Sequence, residues 1–395
     1  MLRDSFTAYL FIAPAALVIG LFGIFPAFFT IYMSLFRWRL TRGAFSGLDN
    51  YAKLFGGNAG YLALVLACLA GMVFGWVLAR RQAAPAPLRR CAGFLLLTLS
   101  TAGFVAALPL LAAQGDAGVF DSLRVTIWYA VFTVPVQLAA GLLLAVFLNR
   151  RMRGKQAFRV ISLMPYIAPT VATAAVFELL FSLRPDSFAN QLLRVVGIGP
   201  VQWLQEPTGI FMLLFGGPAA GAGAGAGLGA TTGAASGAAA AAIPAYWAQW
   251  AQGPSLALAA VIFYSWWIFV GYYALIFLNG LSGIPRQLYE AAEVDGAGKV
   301  RSFFSITLPL LSPTTYFLSL LGVIGTFKAF THLYVLRSPA ALNTVDPISV
   351  VIFFTAFRTG NMGYASAMSL LLFFIVLGLT LLQQRAAERG VSYGD

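Results

Sequence analysis

Eight stretches of this chain run for about 20 residues or more with few charges, and nothing else in the sequence restricts the fold as strongly. They lie near 8–34, 60–79, 92–113, 125–148, 160–182, 254–279, 311–331 and 363–383. Lipid offers no partner to a backbone N–H or C=O, so runs of this length fold as membrane-spanning helices. The chain is 60% hydrophobic and 10% charged over its 395 residues, where soluble domains carry about 25% charged residues. The polar stretches between the runs are too short to bury cores of their own. The expected fold is therefore all-α, a polytopic membrane helix bundle of about eight transmembrane helices. A shorter run, 347–357, follows Asp346-Pro347 and reads as an interfacial or re-entrant helix. The first run is too long for a signal-peptide core and reads as a retained span.

The formal charge of +12 does not indicate nucleic acid, because no basic stripe interleaves with aromatics on a polar face. The charges flank the apolar runs, where they set orientation. With the N-terminus inside, the inner segments hold 15 Lys and Arg and the outer segments 9, with Lys328 left inside a helix. This bias puts both termini on the cytoplasmic side, although the cluster Arg37, Arg39 and Arg42 lies on the outer side against the trend. Cys68 and Cys91 sit in or beside apolar runs without metal-ligand spacing. His332 is the only histidine, so no protein-built metal site is expected. Residues 216–243 are low-complexity Gly and Ala. Their glycines disfavour a helix, and the expectation is a flexible outer loop, with a ninth membrane segment as the alternative.

One polar segment stands apart, between the sixth and seventh runs. Pro285 suits a first helical turn. Gln287 to Val294 can form two turns of helix, Asp295-Gly296-Ala297-Gly298 can break it, and a second short helix fits Lys299 to Ser305. Pro309 then starts the next span. Leu288 and Ala292, four residues apart, share one face, and Tyr289 and Glu293 another. Small Ala291 and Ala292 permit close approach by a partner whose groove takes the helix. Glu290 and Asp295 supply charge. An ordinary amphipathic membrane loop reads equally well on these grounds alone.

Glu290-Ala-Ala292, Asp295-Gly-Ala297 and Ile306-Thr-Leu-Pro309, with Gly283-Ile-Pro285 and Leu288-Tyr289 upstream, resemble the EAA loop of binding-protein-dependent ABC importer permeases. Gly47-Leu-Asp-Asn-Tyr51, Pro135 to Arg150, Phe158-Arg159, Pro165 and Met362 to Ala367 also match the maltose, multiple-sugar and glycerol-3-phosphate branch. The likeness covers about 5–55 and 118–390. It implies the type I ABC importer permease fold, with Arg286–Ser305 as a coupling helix docked in a cleft of an ATPase. The coupling residues it implies are Arg286, Leu288, Tyr289, Glu290, Ala291, Ala292, Asp295, Gly296, Ala297 and Pro309. It also implies a sugar-like solute, an extracytoplasmic solute-binding protein, a second permease subunit and an ATP-binding subunit dimer. Three features depart from the pattern: an added hairpin at 56–117, a lengthened outer loop at 208–253, and Arg337-Ser-Pro339 in place of a Gly-Gly-Pro turn. The expected division is thus 1–55, the hairpin 56–117, and a core permease domain 118–395 that holds the outer loop and the cytoplasmic loop 283–309.

No P-loop is present. At Gly298-Lys299, Glu293 stands where the first Gly belongs and Val300 where the hydroxyl belongs. The chain is expected to be no enzyme and to bind no cofactor itself, with ATP and Mg held by the partner ATPase. The alternative, an ion-coupled secondary transporter, calls for mid-membrane carboxylates or broken helices in two matching halves, and neither is evident in the sequence. A non-transporting sensor or scaffold is a third class. Polar residues inside the bilayer are default candidates for function. The likeness places the sugar site on the sixth and seventh helices, and so points to Ser265, Trp267, Tyr272, Thr326 and Lys328. Lipid-interface aromatics account for part of this set, and snorkelling of the lysine stem accounts for Lys328 as well as a solute contact does.

Overall fold

A computed structural model describes residues 2–39, 41–57, 59–80, 87–150, 153–182, 184–195, 197, 199–215 and 238–387. Among these residues the fold is helical, and two isolated bridges, Phe36–Phe45 and Gly209–Ser255, are the extended pairings. Seven of the described helices are long and apolar enough to cross a membrane, and a bent pair supplies up to one further span. The chain divides into two compact units. One holds Met1–Phe120, Thr231–Ala248 and Val351–Phe373, and the other Asp121–Ala230, Gln249–Val350 and Phe374–Asp395.

In the first unit, α1 (Leu2–Ile19) runs through a π-helical turn, Gly20–Ile24, into α2 (Phe25–Ser34). The short α3 (Asp49–Phe55) then turns back on the end of α2. Asn50 Nδ2 donates to the carbonyls of Ser34 and Phe36 at 2.7 and 3.2 Å, and the Tyr51 and Ser34 hydroxyls share a 2.8 Å bond. Gly47, at φ 56°, makes the turn that brings Asn50 and Tyr51 there. The hairpin segment is filled by α4 (Ala59–Arg80) and α5 (Pro87–Gln114). A Cβ on Gly71 would strike Ser100 and one on Gly103 the Cys68 Sγ, so small residues set the close approach of α4 to α5. Gly363-Tyr364 docks in the same unit. Gly363 N–H donates to Trp38 O at 2.9 Å, Tyr364 OH donates to Asp116 Oδ2 at 2.6 Å, and Lys53 lies 4.6 Å over the Tyr364 ring.

The second unit takes α6 (Ala117–Asn149) from Asp121 onward, then α7 (Lys155–Ile167) and α8 (Thr170–Leu180). The expected continuous span over 160–182 is corrected here, since α7 and α8 meet at 91°. Pro169 lacks an N–H and drives Ala168 to extended backbone, φ −66° and ψ 146°. After α9 (Phe188–Val195) and α10 (Ile210–Phe215), the chain passes through α11 (Ala238–Ala251), which belongs to the first unit up to Ala248, and returns as the spanning α12 (Leu256–Ser282). The outer insertion is pinched at its base, where Ile210 and Phe211 N–H groups bond Pro254 O and Gln252 O. Its Ala-rich end is the helix α11, not a flexible loop, because alanine has the highest helix propensity. Residues 216–237 of the expected loop lie outside the described residues.

Beyond α12 follow α13 (Arg286–Val294), α14 (Lys299–Ser302), a π turn over Phe303–Thr307, α15 (Leu308–Leu310) and α16 (Ser312–Phe327). The seventh run does not stay one helix. It breaks after Phe327 and resumes as α17 (Thr331–Val335). The 347–357 run is α18 (Ile348–Phe353) with a π turn over Phe354–Arg358, and α19 (Met362–Ala387) is the last span.

In the second unit, α12 is the helix the others lean on. Leu148 of α6, Tyr273, Phe277 and Leu281 of α12, and Leu311 and Leu318 form one buried cluster. Crossings are set by glycine. A Cβ on Gly271 would run into the Ser162 carbonyl of α7, and one on Gly322 into the Tyr273 hydroxyl. Gly271→Val is expected to destabilise the protein by about 1–3 kcal/mol through forced separation of α7 and α12. The readout is a lower thermal unfolding midpoint in detergent, with Gly378→Val, which meets nothing within 4 Å, as the unchanged control.

Candidate coupling loop and solute path

The polar segment folds as a helix, a glycine turn and a second short helix. Pro285 is the N-cap of α13, with extended backbone at φ −61° and ψ 133°, one residue earlier than expected. At the other end, Gly296 N–H bonds Glu293 O at 3.1 Å and Ala297 N–H bonds Ala292 O at 2.8 Å. This pair is a Schellman closure, and it needs the left-handed residue supplied by Gly296 at φ 76°. Gly298 then caps α14, so Gly298-Lys299 forms the start of a four-residue helix and not a phosphate cradle. Tyr289 OH and Thr307 Oγ1 share a 2.9 Å bond that ties α13 to the segment entering α16.

No residue of α13 is buried. Arg286, Leu288, Glu290, Ala291, Asp295, Gly296 and Pro309 are exposed, and Tyr289, Ala292 and Ala297 are half-buried. The apolar side chains of the loop face outward: Leu288 is 42% exposed, Val294 88%, Val300 72% and Phe304 61%. Asp295 occupies the C-cap. A carboxylate there opposes the helix dipole by about 0.3–1 kcal/mol, so it does not serve the stability of α13. The loop thus presents exposed apolar side chains among charges of both signs, Glu290, Glu293 and Asp295 with Arg286, Lys299 and Arg301.

The expected solute-path residues do not converge. Ser265 is fully buried. Its hydroxyl donates to Val261 O at 2.9 Å and accepts from Tyr129 OH at 2.8 Å. Tyr129 must then accept from His332 Nε2–H, 2.7 Å away. This chain of bonds joins α6, α12 and α17, and Gln137 Nε2 adds a bond to Ser265 O at 3.1 Å. In this structure Ser265 therefore holds helices together and faces no open path. Thr326 is also buried, with its hydroxyl bonded to Val323 O. Lys328 is exposed and caps α16, where its charge suits the helix C-terminus. Trp267 is 46% exposed and lies 6.0 Å from Phe177 of α8. Tyr272 is half-buried and stacks on Tyr166 of α7 at 4.4 Å.

Sequence reasoning did not single out Tyr129, and it weighed His332 only as a missing metal ligand. The available signal was a lone histidine within a hydrophobic span, since an intramembrane polar group needs a partner. Tyr129→Phe is expected to cost about 1 kcal/mol. The measurement is the unfolding midpoint of the purified chain, and Tyr166→Phe, which keeps its ring stack, is expected to cost less.

Residues 137–391 match the protein family described as "Binding-protein-dependent transport system inner membrane component". The chain is similar to the trehalose/maltose transport system permease protein MalF of Thermococcus litoralis, at 28% identity over 66% of this chain and 72% of that one. It is also similar to the sn-glycerol-3-phosphate transport system permease protein UgpA of Agrobacterium fabrum, at 27% identity over 74% and 84%. Among solved structures, a chain of a bacterial alginate ABC transporter in complex with an alginate pentasaccharide-bound periplasmic protein shares the fold. Its TM-score is 0.52 at 18% identity, over 77% of this chain and 94% of that one.

Proposed function

The chain belongs to the family of binding-protein-dependent transport system inner membrane components, as a permease subunit of an ABC importer, and on that premise we propose that Arg286–Ser305 is the lever by which a separate ATPase drives it. The observation that carries this reading is the outward-facing loop itself. Leu288 and Val294 stay exposed on α13, which starts after Pro285 and is closed by Gly296, and Val300 and Phe304 stay exposed beyond that turn. Exposed apolar side chains on a polar, well-capped loop mark a partner surface.

The full importer has, in this reading, a second permease subunit, two ATP-binding subunits and an extracytoplasmic binding protein. The relative of Thermococcus litoralis is named for trehalose and maltose and the structural neighbour for alginate, which supports a carbohydrate or related small solute. The Lys and Arg bias supports cytoplasmic termini, with the loop on the side where ATP is. Closure of the ATP-binding subunits would then rock the helices between inward-open and outward-open states.

Glu290→Lys combined with Gly296→Pro is expected to abolish both co-purification with the ATPase and ATP-driven uptake, while the chain still inserts in the membrane. Gly296→Pro removes the N–H that bonds Glu293 O and forbids the left-handed backbone. Retention of complex and uptake in that variant would overturn the lever. Uptake in vesicles should also survive collapse of the proton gradient as long as ATP is supplied.

A further inference from the structure

The second unit contains an open cavity of about 800 Å³ that none of the residues discussed so far accounts for. It lies at the end of α8 away from the Lys155 end of the broken span. On the proposed orientation, that is the extracytoplasmic side. Its volume falls within the ~300–1,000 Å³ of small-molecule sites. The polar lining comes from Glu178, Arg184, Asp186, Gln205, Arg337 and the hydroxyls of Ser182 and Ser338.

Two features of this lining specify a ligand. The first is charge. Arg337 Nε already bonds both oxygens of the buried Asp346 at 2.7 and 2.9 Å. That leaves two carboxylates, Glu178 and Asp186, against one guanidinium, Arg184. Sites for phosphate or carboxylate groups concentrate Arg and Lys, whereas this lining has as many carboxylates as guanidiniums, and one guanidinium is already taken by Asp346. The second feature is an aromatic ring in the wall: half-buried Phe181, backed by the buried Phe177 at 4.9 Å and met edge-on by Trp203 at 5.3 Å. Aromatic faces take the apolar faces of sugar rings, while planar carboxylate, amide and guanidinium groups bond the hydroxyls around the rim.

The geometry points to a receiving site for a neutral saccharide at the outer mouth, with Phe181 in its wall, that excludes phosphorylated or uronate solutes. This rests on the permease orientation proposed above and narrows its solute class.

The test uses the complete importer in right-side-out vesicles, with Cys68 and Cys91 replaced by serine and Ser338→Cys as the only thiol. A membrane-impermeant maleimide labels that thiol in the presence of trehalose, maltose, glycerol 3-phosphate or alginate pentasaccharide. A neutral saccharide should slow labelling about tenfold at saturation, and the two anions should not. Glu178→Gln with Asp186→Asn should weaken that protection while the labelling rate without sugar stays the same. Protection by the anions alone, by no solute, or by solute-free binding protein alone would overturn the inference and leave the permease assignment standing. Labelling only from the cytoplasmic side would instead overturn the orientation, and the inference with it.

Discussion

Every backbone N–H and C=O within the bilayer must find its partner inside the protein, and the places where proline breaks that rule shape this structure. Pro109 inside α5 cannot donate to Val105 O, and the Trp247 indole N–H takes its place at 2.9 Å. Pro26 and Pro309 each follow a π turn, Gly20–Ile24 and Phe303–Thr307, closed by a bond from the residue just before the proline to a carbonyl five back. The wider turn moves aside the carbonyl that the proline ring would otherwise strike. At Pro169 no repair is made within the helix, and the span breaks. Tyr264 OH then donates to Thr170 O at 3.0 Å, and Gly271 lets α12 come close to the Ser162 carbonyl.

This accounts for what the sequence made legible. Runs of ~20 apolar residues show as spans because length and hydropathy are local properties. The coupling loop was legible for the same reason: its Asp-Gly-Ala-Gly closure uses neighbours within six residues, and Gly296 announces a left-handed position. The broken span was not read, although Pro165 and Pro169 stood four apart within the run 160–182. Hydropathy stays high through the break, and only the fold decides whether prolines kink or interrupt. The buried bonding of Ser265 is not legible in the sequence for a different reason. Its partners Tyr129 and His332 lie 136 and 67 residues away in sequence, and no local pattern indicates which face of an all-apolar helix is buried. The Ala-rich α11 was hidden by the glycines beside it.

The broken span also bears on mechanism class. Discontinuous helices are a feature of ion-driven transporters when they recur in two matching halves. The single strongly bent pair among the described residues is α7 with α8, and the family match decides for the ABC importer. The broken helix lies here within one unit, with α8 held to α12 by the Tyr264–Thr173 hydroxyl pair at 2.8 Å.

Stiffness along the second unit is uneven, and the unevenness suits a lever. At the loop end, Gly280 brings α12 against Leu311 and Thr314, where a Cβ would meet both, and Leu281 and Leu311 sit in the same buried cluster as Leu148. Packed interiors resist deformation and pass displacement on. Under the proposed lever, a push on α13 would reach α12 and α16 together through this packing and the Tyr289–Thr307 bond. Away from the loop the spans are segmented, at Ala168-Pro169 between α7 and α8 and at Lys328–Phe330 between α16 and α17. Segment ends can rotate where continuous helices cannot. The Tyr129–Ser265–His332 chain reaches across the second of these breaks and ties α17 back to α6 and α12.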